Sequence, residues 1–487
     1  MSNSHLFTYS NHLGAFNPFF IENDSGFTFD PAFSGIVDEV DEPLELDVTA
    51  IASVLSKHYI MGDRTLIKGI HRSPWMARPD YESRTWNFHE LPPHGDKNMS
   101  IGKISERMFH LLSEEIKEYT KECKQVGILL SGGMDSRMVA GVLDSLIKRG
   151  ETVIERVVVY TWGNNNSRDV VYSKKIADRM GWEWKHFVIE GKKFLRNLEI
   201  AGQRGCEYTG IHLHAMPDIA DVADVDVIIA GSYGDSVGRA EYSGQHVTNL
   251  QPMEKGVRNF AFLIDRNEYR NIKGEWEMDI EKYHSRFPRE HTYQVNEVER
   301  QLHFMRRMLN PCMEVINEKV PVRQAFTAPS VFGFMWSFSP EFRNDDLYKE
   351  LPRFFETKLD DIPWARTGLR YGTKTGIPDE FEKNHYSYPD YIQNDLMDVI
   401  EKKIIQTTLP VIDKSQTLKL IQLIRKRPNH NFDYLEAISW VYSFCIFLDT
   451  YKVEFDYSSK SSSRLDSWML TGEYFLKRNY RRIKYGV

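Results

Sequence analysis

Cysteine is scarce in this chain: Cys123, Cys206, Cys312 and Cys445 are four in 487 residues, with no C-x-x-C pair. Thiols so few and so far apart exclude a disulfide framework and a zinc ribbon, and fit reduced cysteines in a cytoplasmic protein. Long apolar runs are lacking too. The longest aromatic-apolar stretch, Trp440 to Leu448, is too short to span a bilayer, and the first twenty residues lack a positive segment followed by an apolar one. No membrane partner is therefore expected. Nor is positive charge in excess, since 62 Lys and Arg against 69 Asp and Glu give a formal net charge of -7. That balance leaves no broad basic surface for a nucleic-acid backbone. Sixteen histidines are present, with His212 and His214 as the closest pair, but without H-E-x-x-H or Cys/His spacing they carry no metal reading.

What is present is enough for real cores: 41% of the residues are hydrophobic and 13% aromatic, sufficient for two or three domains. Residues 1–95, rich in Phe, Pro and Gly with short apolar stretches, read as a small strand-rich unit. From Ile104 to Tyr119 apolar residues fall at helical spacing, and "VGILL" follows as a strand covered on both faces. Downstream, "SRMVAGVLDSLIKRG" and "SRDVVYSKKIADRMG" read as helices ending at Gly150 and Gly181, while "RVVVYTW", "WEWKHFVI" and "DVIIAG" read as strands. Such alternation predicts βαβ units around a parallel sheet over residues from about 125 to about 240. Helices are expected at "RQLHFMRRMLN" and "YLEAISWVYSFCIFLDTY", the latter in a helical extension over residues 391–487. In that extension "LIRKRPNHN" reads as a helix end charged by Arg425 to Arg427 and stopped by Pro428, "YSSKSSSRLDS" as a polar loop, and the basic end as a surface helix or tail.

Residues 126 to 137, "VGILLSGGMDSR", carry the clearest chemistry. A buried strand that ends on Ser-Gly-Gly and starts a helix collects free backbone N-H groups and the positive helix end at one spot, which suits an anion. Two glycines let the backbone approach phosphate, and Ser131 and Ser136 add hydroxyls. Asp135 would repel phosphate unless a divalent cation lay between them, so the stretch predicts a magnesium-phosphate complex. With no lysine after the glycines, it is not a P-loop of the G-x-x-x-x-G-K-S/T kind.

"SGGMDS" resembles the pyrophosphate loop of the ATP pyrophosphatase superfamily, and its surroundings, from about Asp47 to Gly376, resemble the asparagine synthetase family. "GDRTLIKGIHRSPW" is similar to that family's join between glutaminase and synthetase domains, and "YTWGNNNSRDVVYSKKIADRMGWEWKHFVI" to its second strand-helix-strand, with Asp169 at the usual acidic position. "IIAGSYGDSVG" resembles its Ser-Gly-Glu-Gly-x-Asp-Glu motif, and "IPWARTG" lies where it carries Lys-x-Gly. The resemblance implies a wider ATP-binding domain over residues 96–390, a parallel-sheet PP-loop ATP pyrophosphatase domain of the α/β class, also termed adenine nucleotide α-hydrolase-like, with helical additions and a small β-rich N-terminal domain. It implies ATP and Mg²⁺, a small-molecule or peptide carboxylate converted to an acyl-adenylate, and an amine acceptor. On matching positions Leu130, Ser131, Gly132, Gly133, Asp135, Ser136 and Gly231 would hold the nucleotide and its pyrophosphate, with the backbone at Tyr160 and Thr161 meeting adenine. Asp135 and Asp235 would ligate the metal.

Three departures from the family pattern shape the expected activity. Position 2 is Ser2 where glutamine-using members expose a cysteine, and residues 1–95 are about half the length of that family's glutaminase domain, so a truncated, inactive remnant is expected. Ser232 replaces a glutamate, or the tyrosine of lactam-forming relatives, with Tyr233 one residue off register. Arg366 stands at the lysine position, with Lys374 eight residues on as a possible substitute. Together they imply an amide-forming ligase that does not hydrolyse glutamine, in the manner of β-lactam synthetases and lasso-peptide cyclases. Its nitrogen would come from the substrate or a separate donor protein. An RNA-modifying ATP pyrophosphatase and a non-catalytic nucleotide-binding scaffold are the alternatives; the first should show paired cysteines or a basic face, which this sequence lacks.

Overall fold

A computed structural model describes residues 3–24, 26–253, 258–373, 375–383, 387–426, 432–455 and 464–485. Ser2, Lys374, Arg427, Pro428 and the whole stretch from 456 to 463, most of the expected polar loop, lie outside the described residues. Three short strands, β1 (Phe19–Asn23), β2 (Gly26–Asp30) and β3 (His71–Arg72), form an antiparallel sheet in the order β2-β1-β3, and β4 (Ala77–Asp80) pairs with β5 (Thr85–Phe88). The centre of the molecule is a five-stranded sheet built from β6 (Gln125–Leu129), β7 (Arg156–Trp162), β8 (Glu183–Phe187) and β9 (Val227–Ala230), with β12 (Val322–Gln324) at one edge. A ribbon of β10 (Glu241–Tyr242) and β11 (Gln245–His246) precedes that last strand in the chain.

All neighbours in the central sheet are parallel, and the order is β12-β9-β6-β7-β8. The chain moves outward from β6 to β8 and then returns to the other side of β6, so the strand order reverses between β6 and β9. In open α/β sheets, ligands bind outside the carboxyl ends of the strands at such a reversal. Both faces are covered, as the continuous apolar runs require. Val126, Ile128, Val159 and Ile229 face one core with helices Ile101–Thr120 and Met134–Lys148, while Leu129, Val158, Tyr160 and Ile228 face a second core with Phe19, Phe33 and the C-terminal helix Phe432–Tyr451. The helix Arg168–Met180 ends on Gly181 in the left-handed region, as its glycine predicts.

One expected helix takes an unusual form. "RQLHFMRRMLN" is helical, but Arg300–Leu309 is wound as a π-helix inside a continuous run from Thr292 to Asn317. Pro311 supplies a physical reason, because it has no N-H to donate and its ring displaces the preceding turn, so the wider winding accommodates it. The helix also delivers buried charge. Arg307 bonds Glu207 Oε1 at 2.6 Å, Arg306 bonds Asp63 Oδ1 at 2.8 Å, and Arg72 bonds both Glu207 (2.7 Å) and Glu314 (2.9 Å). These bonds tie the "GDRTLIKGIHRSPW" stretch to the central domain. In the C-terminal extension the helix Lys414–Lys426 ends on Arg425, which pairs with Asp398 and Glu401 instead of forming a free basic patch, and a helix covers Arg464–Tyr485.

Glu297 sits fully buried between Arg343, at 2.6 and 2.7 Å, and His94 Nε2, also at 2.6 Å. Burial alone would raise its carboxyl, but the Arg343 charge and these hydrogen bonds outweigh that and hold it down to about 2. A carboxyl depressed by folding stabilises the protein fully above its ordinary value near 4.5 and loses that contribution as pH falls toward about 2. Glu297→Gln is expected to lower unfolding free energy at neutral pH by about 3–5 kcal/mol and to flatten the acid limb in that window. Denaturant unfolding at pH 7 and pH 3 measures both, and a variant as stable as wild type at pH 7 contradicts the account.

Candidate active site at the strand reversal

The β6 run ends at Leu130, buried beside the sheet, and the chain turns through Ser131, Gly132 and Gly133 into the helix Met134–Lys148. No side chain caps that helix, so its N-terminal end is open toward the carboxyl edge of the sheet. Ser131 Oγ accepts from Gly133 N at 3.0 Å, and Ser136 Oγ accepts from Ser131 N at 3.2 Å, which folds the loop back on its own helix. Gly132 is required by space: a Cβ there would lie 2.8 Å from the Arg168 carbonyl oxygen and 2.9 Å from Ala365 Cβ.

A second turn, Gly231 to Gly234, leads from β9 into the short helix Gly234–Arg239 and presses against the first. A Cβ on Gly231 would meet Ser136 Cα at 2.5 Å, and one on Gly234 would meet Asp135 Cβ at 2.6 Å. This contact sets Asp135 and Asp235 together. Burial, and then the charge of Asp135, raise the Asp235 carboxyl above its usual range, with Arg239 opposing them. Two carboxylates this close beside a glycine turn are a donor set suited to a hard divalent cation, so the residues present fit Mg²⁺ with a phosphate ligand.

The segment that carries Arg366 packs against the first turn. Ala365 N donates to Gly132 O at 3.1 Å, which seats Arg366 beside the glycine turn. Buried Arg137 fixes the approach by donating to the carbonyls of Ile362 and Pro363, each at 2.7 Å, and of Gly132 at 3.3 Å. Arg366 stacks over Trp364, 4.5 Å from the ring centroid, and bonds Glu241 at 2.9 Å. Ser232 donates to Gln324 Oε1 at 2.6 Å. Tyr233, in the left-handed region at φ 70°, is turned into the core, where its hydroxyl bonds Asn310 Oδ1 at 3.0 Å.

Next to Ser131 a cavity of about 220 Å³ opens, lined by Leu130, Thr161, Trp162, Asp169, His214 and Tyr388. Thr161 Oγ1 donates to Leu130 O at 2.7 Å, while the Tyr160 side chain lies in the core and its carbonyl accepts from Leu130 N at 3.1 Å, so of Tyr160 and Thr161 only Thr161 lines the cavity. Burial, and then the charge of His212, lower His214 to about 3, so it is neutral; its ring stacks with Trp162, and its Nδ1 lies 3.0 Å from the Tyr388 hydroxyl. Asp169, raised by burial, is held partly down by its hydrogen bond to the Gly132 backbone.

Five residues of this site escaped the sequence reading: Arg137, Arg239, Glu241, His214 and Tyr388. Arg239 and Glu241 left a trace as charges in "GRAEY" directly after the second motif, His214 stood only in the closest histidine pair, and nothing in the sequence marked Arg239 as buried or Glu241 as half-buried.

Two glycine turns thus converge on paired aspartates at the strand reversal of a parallel sheet, an arrangement suited to a phosphate-bearing ligand with a divalent cation. The sequence model of the asparagine synthase family matches residues 108–311, which hold both turns; Arg366 lies beyond the match. That stretch is therefore similar to an asparagine synthase domain. No curated protein matches the sequence. Among solved structures, NMN synthetase from Francisella tularensis is 13% identical, with 42% of this chain and 94% of that one covered at a TM-score of 0.22. A predicted tRNA methyltransferase subunit from Methanocaldococcus jannaschii is 19% identical, over 31% and 88%, at 0.17. U34-tRNA thiolase NcsA from Methanococcus maripaludis, with its [4Fe-4S] cluster, is 13% identical, over 61% and 96%, at 0.21. Likenesses this distant say nothing of this chain's substrate. Among the described residues no helix is long and apolar enough to cross a membrane.

Gly132→Ala is expected to leave the fold intact but weaken ATP binding at least tenfold, because the added methyl forces the turn away from a backbone carbonyl that cannot yield. Titration calorimetry with ATP and magnesium checks this, and wild-type affinity in the variant would contradict the steric argument.

Proposed function

We propose that the protein is an ATP-dependent ligase that adenylates a carboxylate and passes the acyl group to an amine without hydrolysing glutamine. The observation that carries this reading is the convergence of Asp135, Asp235 and two uncapped helix N-termini at one point beside Gly132 and Gly133. A carboxylate oxygen attacks the α-phosphorus, pyrophosphate leaves, and the amine then displaces AMP from the acyl carbon. Asp135 and Asp235 would hold Mg²⁺, which would supply charge neutralisation on the phosphates. Ser131, Gly132, Gly133 and Ser136 bind the departing pyrophosphate with backbone N-H groups and hydroxyls. Leu130 and Thr161 line the cavity beside Ser131 that would take the nucleoside, with Gly231 on the adjoining turn and the Tyr160 backbone on the neighbouring strand. Arg366 places a permanent positive charge next to the loop, where negative charge gathers as the anhydride breaks.

The nitrogen does not come from a cysteine-dependent glutaminase within these residues. No cysteine precedes Cys123, and burial pushes the thiols of Cys206, Cys312 and Cys445 up, so they are poor nucleophiles. The amine belongs to the substrate, a small molecule or peptide, or arrives on a separate donor protein. With the Ser232 hydroxyl engaged by Gln324 and Tyr233 turned inward, neither serves as base, and a positioned amine makes one less necessary.

ATP incubated with magnesium and candidate carboxylates is expected to yield AMP and pyrophosphate, and Asp135→Asn to abolish that release while retaining the fold. ADP and phosphate as products would sink the proposal. Tyr233→Phe is expected to leave turnover within about twofold of wild type and to cost about 1 kcal/mol of stability, the worth of one buried hydrogen bond. Loss of turnover in the correctly folded variant would return Tyr233 to the role of base.

A further inference from the structure

We infer that Glu241 is a positioning residue that joins Arg366 to the metal-binding end of the site, an inference that rests on the ligase reading above. Glu241 lies on β10, six residues beyond Asp235, and its Oε2 accepts from two guanidinium groups at once: Arg239 Nη1 at 2.9 Å and Arg366 Nη1 at 2.9 Å. Arg239, whose side chain is 2% exposed, turns its Nη2 to the Asp135 oxygens at 3.3 and 3.4 Å. The Trp364 ring lies against both cations, 5.6 Å from Arg239 Cζ and 4.5 Å from Arg366 Cζ. One carboxylate oxygen therefore connects the cation that grips Asp135 to the cation seated beside Gly132.

This arrangement gives a reason for arginine at Arg366. An ammonium group bonded to Glu241 would be a point charge already largely neutralised by its partner. The guanidinium fork can spend Nη1 on Glu241 and still present its other N-H groups, in a fixed plane, to an anion on the loop. Arg366 is more than a third exposed, and Glu241 is the only carboxylate bonded to it among the described residues, so without Glu241 its long side chain samples many rotamers. Glu241 touches no ligand itself; it sets where the charge of Arg366 falls.

Inorganic pyrophosphate with magnesium is the probe, and calorimetric affinity is the readout for wild type, Glu241→Gln, Arg366→Ala and the double variant. Each single change is expected to weaken binding about tenfold, the scale of a charge-assisted hydrogen bond. The double variant should bind no more weakly than Arg366→Ala alone, because Glu241 acts through Arg366. A merely structural Glu241 would lower thermal stability without that coupling. Losses that multiply to about a hundredfold in the double variant, or a Glu241→Gln protein binding as tightly as wild type, overturn the inference. Should Glu241→Gln not fold, Glu241→Asp replaces it in the same cycle under the same criteria. If wild type binds neither pyrophosphate nor ATP, the ligase reading falls and this inference with it. If wild type binds and releases AMP while the losses multiply, only the inference falls.

Discussion

The contact between two glycine turns governs the rest of the site. Gly231 lies so close to Ser136, and Gly234 to Asp135, that any side chain at either glycine would drive the β6 and β9 connections apart. At that distance two helices begin almost at the same point, and their dipoles add where the strand order reverses. The sheet order makes the meeting possible, since only strands adjacent across the reversal bring their following turns together. Asp135 and Asp235 are then neighbours as a consequence of backbone packing, and the raised carboxyl of Asp235 is its electrostatic signature.

A second constraint holds the outer wall. Arg137 is buried beneath the first turn and donates only to carbonyl oxygens, of Gly132, Ile362 and Pro363. Burial lowers its guanidinium to about 10, still charged at neutral pH. A buried charge satisfied by main-chain oxygens is costly, and what it yields here is register: the 362–366 segment cannot slide along the turn without stranding that charge. Arg366 inherits its position from this clamp as much as from its own contacts.

How much of this could be read from residues alone follows from which interactions are local. The strands at "RVVVYTW" and "DVIIAG", the helix stop at Gly181 and the turn at "SGGMDS" announce themselves because β-branched runs, left-handed glycine caps and glycine turns act within a few residues. The π-helix over Arg300–Leu309 was invisible because its apolar spacing is close to that of an ordinary helix, and Pro311 reads as a boundary, not a cause. Tyr233 shows the same limit in the site. Its place one residue off register raised the question of its role, but only the fold reveals that a left-handed backbone at that position sends the ring to Asn310. Arg137, Arg239 and Glu241 were missed since a charged residue in sequence looks solvated until its distant partners are known.

The charges at the meeting point also constrain what the site can hold. Asp135, Asp235, Glu241 and Asp345 contribute four carboxylates, and Arg239 and Arg366 two guanidinium groups, all linked through hydrogen bonds or direct electrostatic contact. Four negative charges against two positive leave a formal excess of two negative charges when every group is ionised, the charge complement of one divalent cation. Without Arg239 the excess would be three, and protonation of Asp235 would be the cheaper answer than ion binding. Arg239 therefore does more than pair with Asp135: it brings the cluster to a balance that, on the proposed reading, a single divalent cation would neutralise, leaving the phosphate charge to the backbone N-H groups and to Arg366.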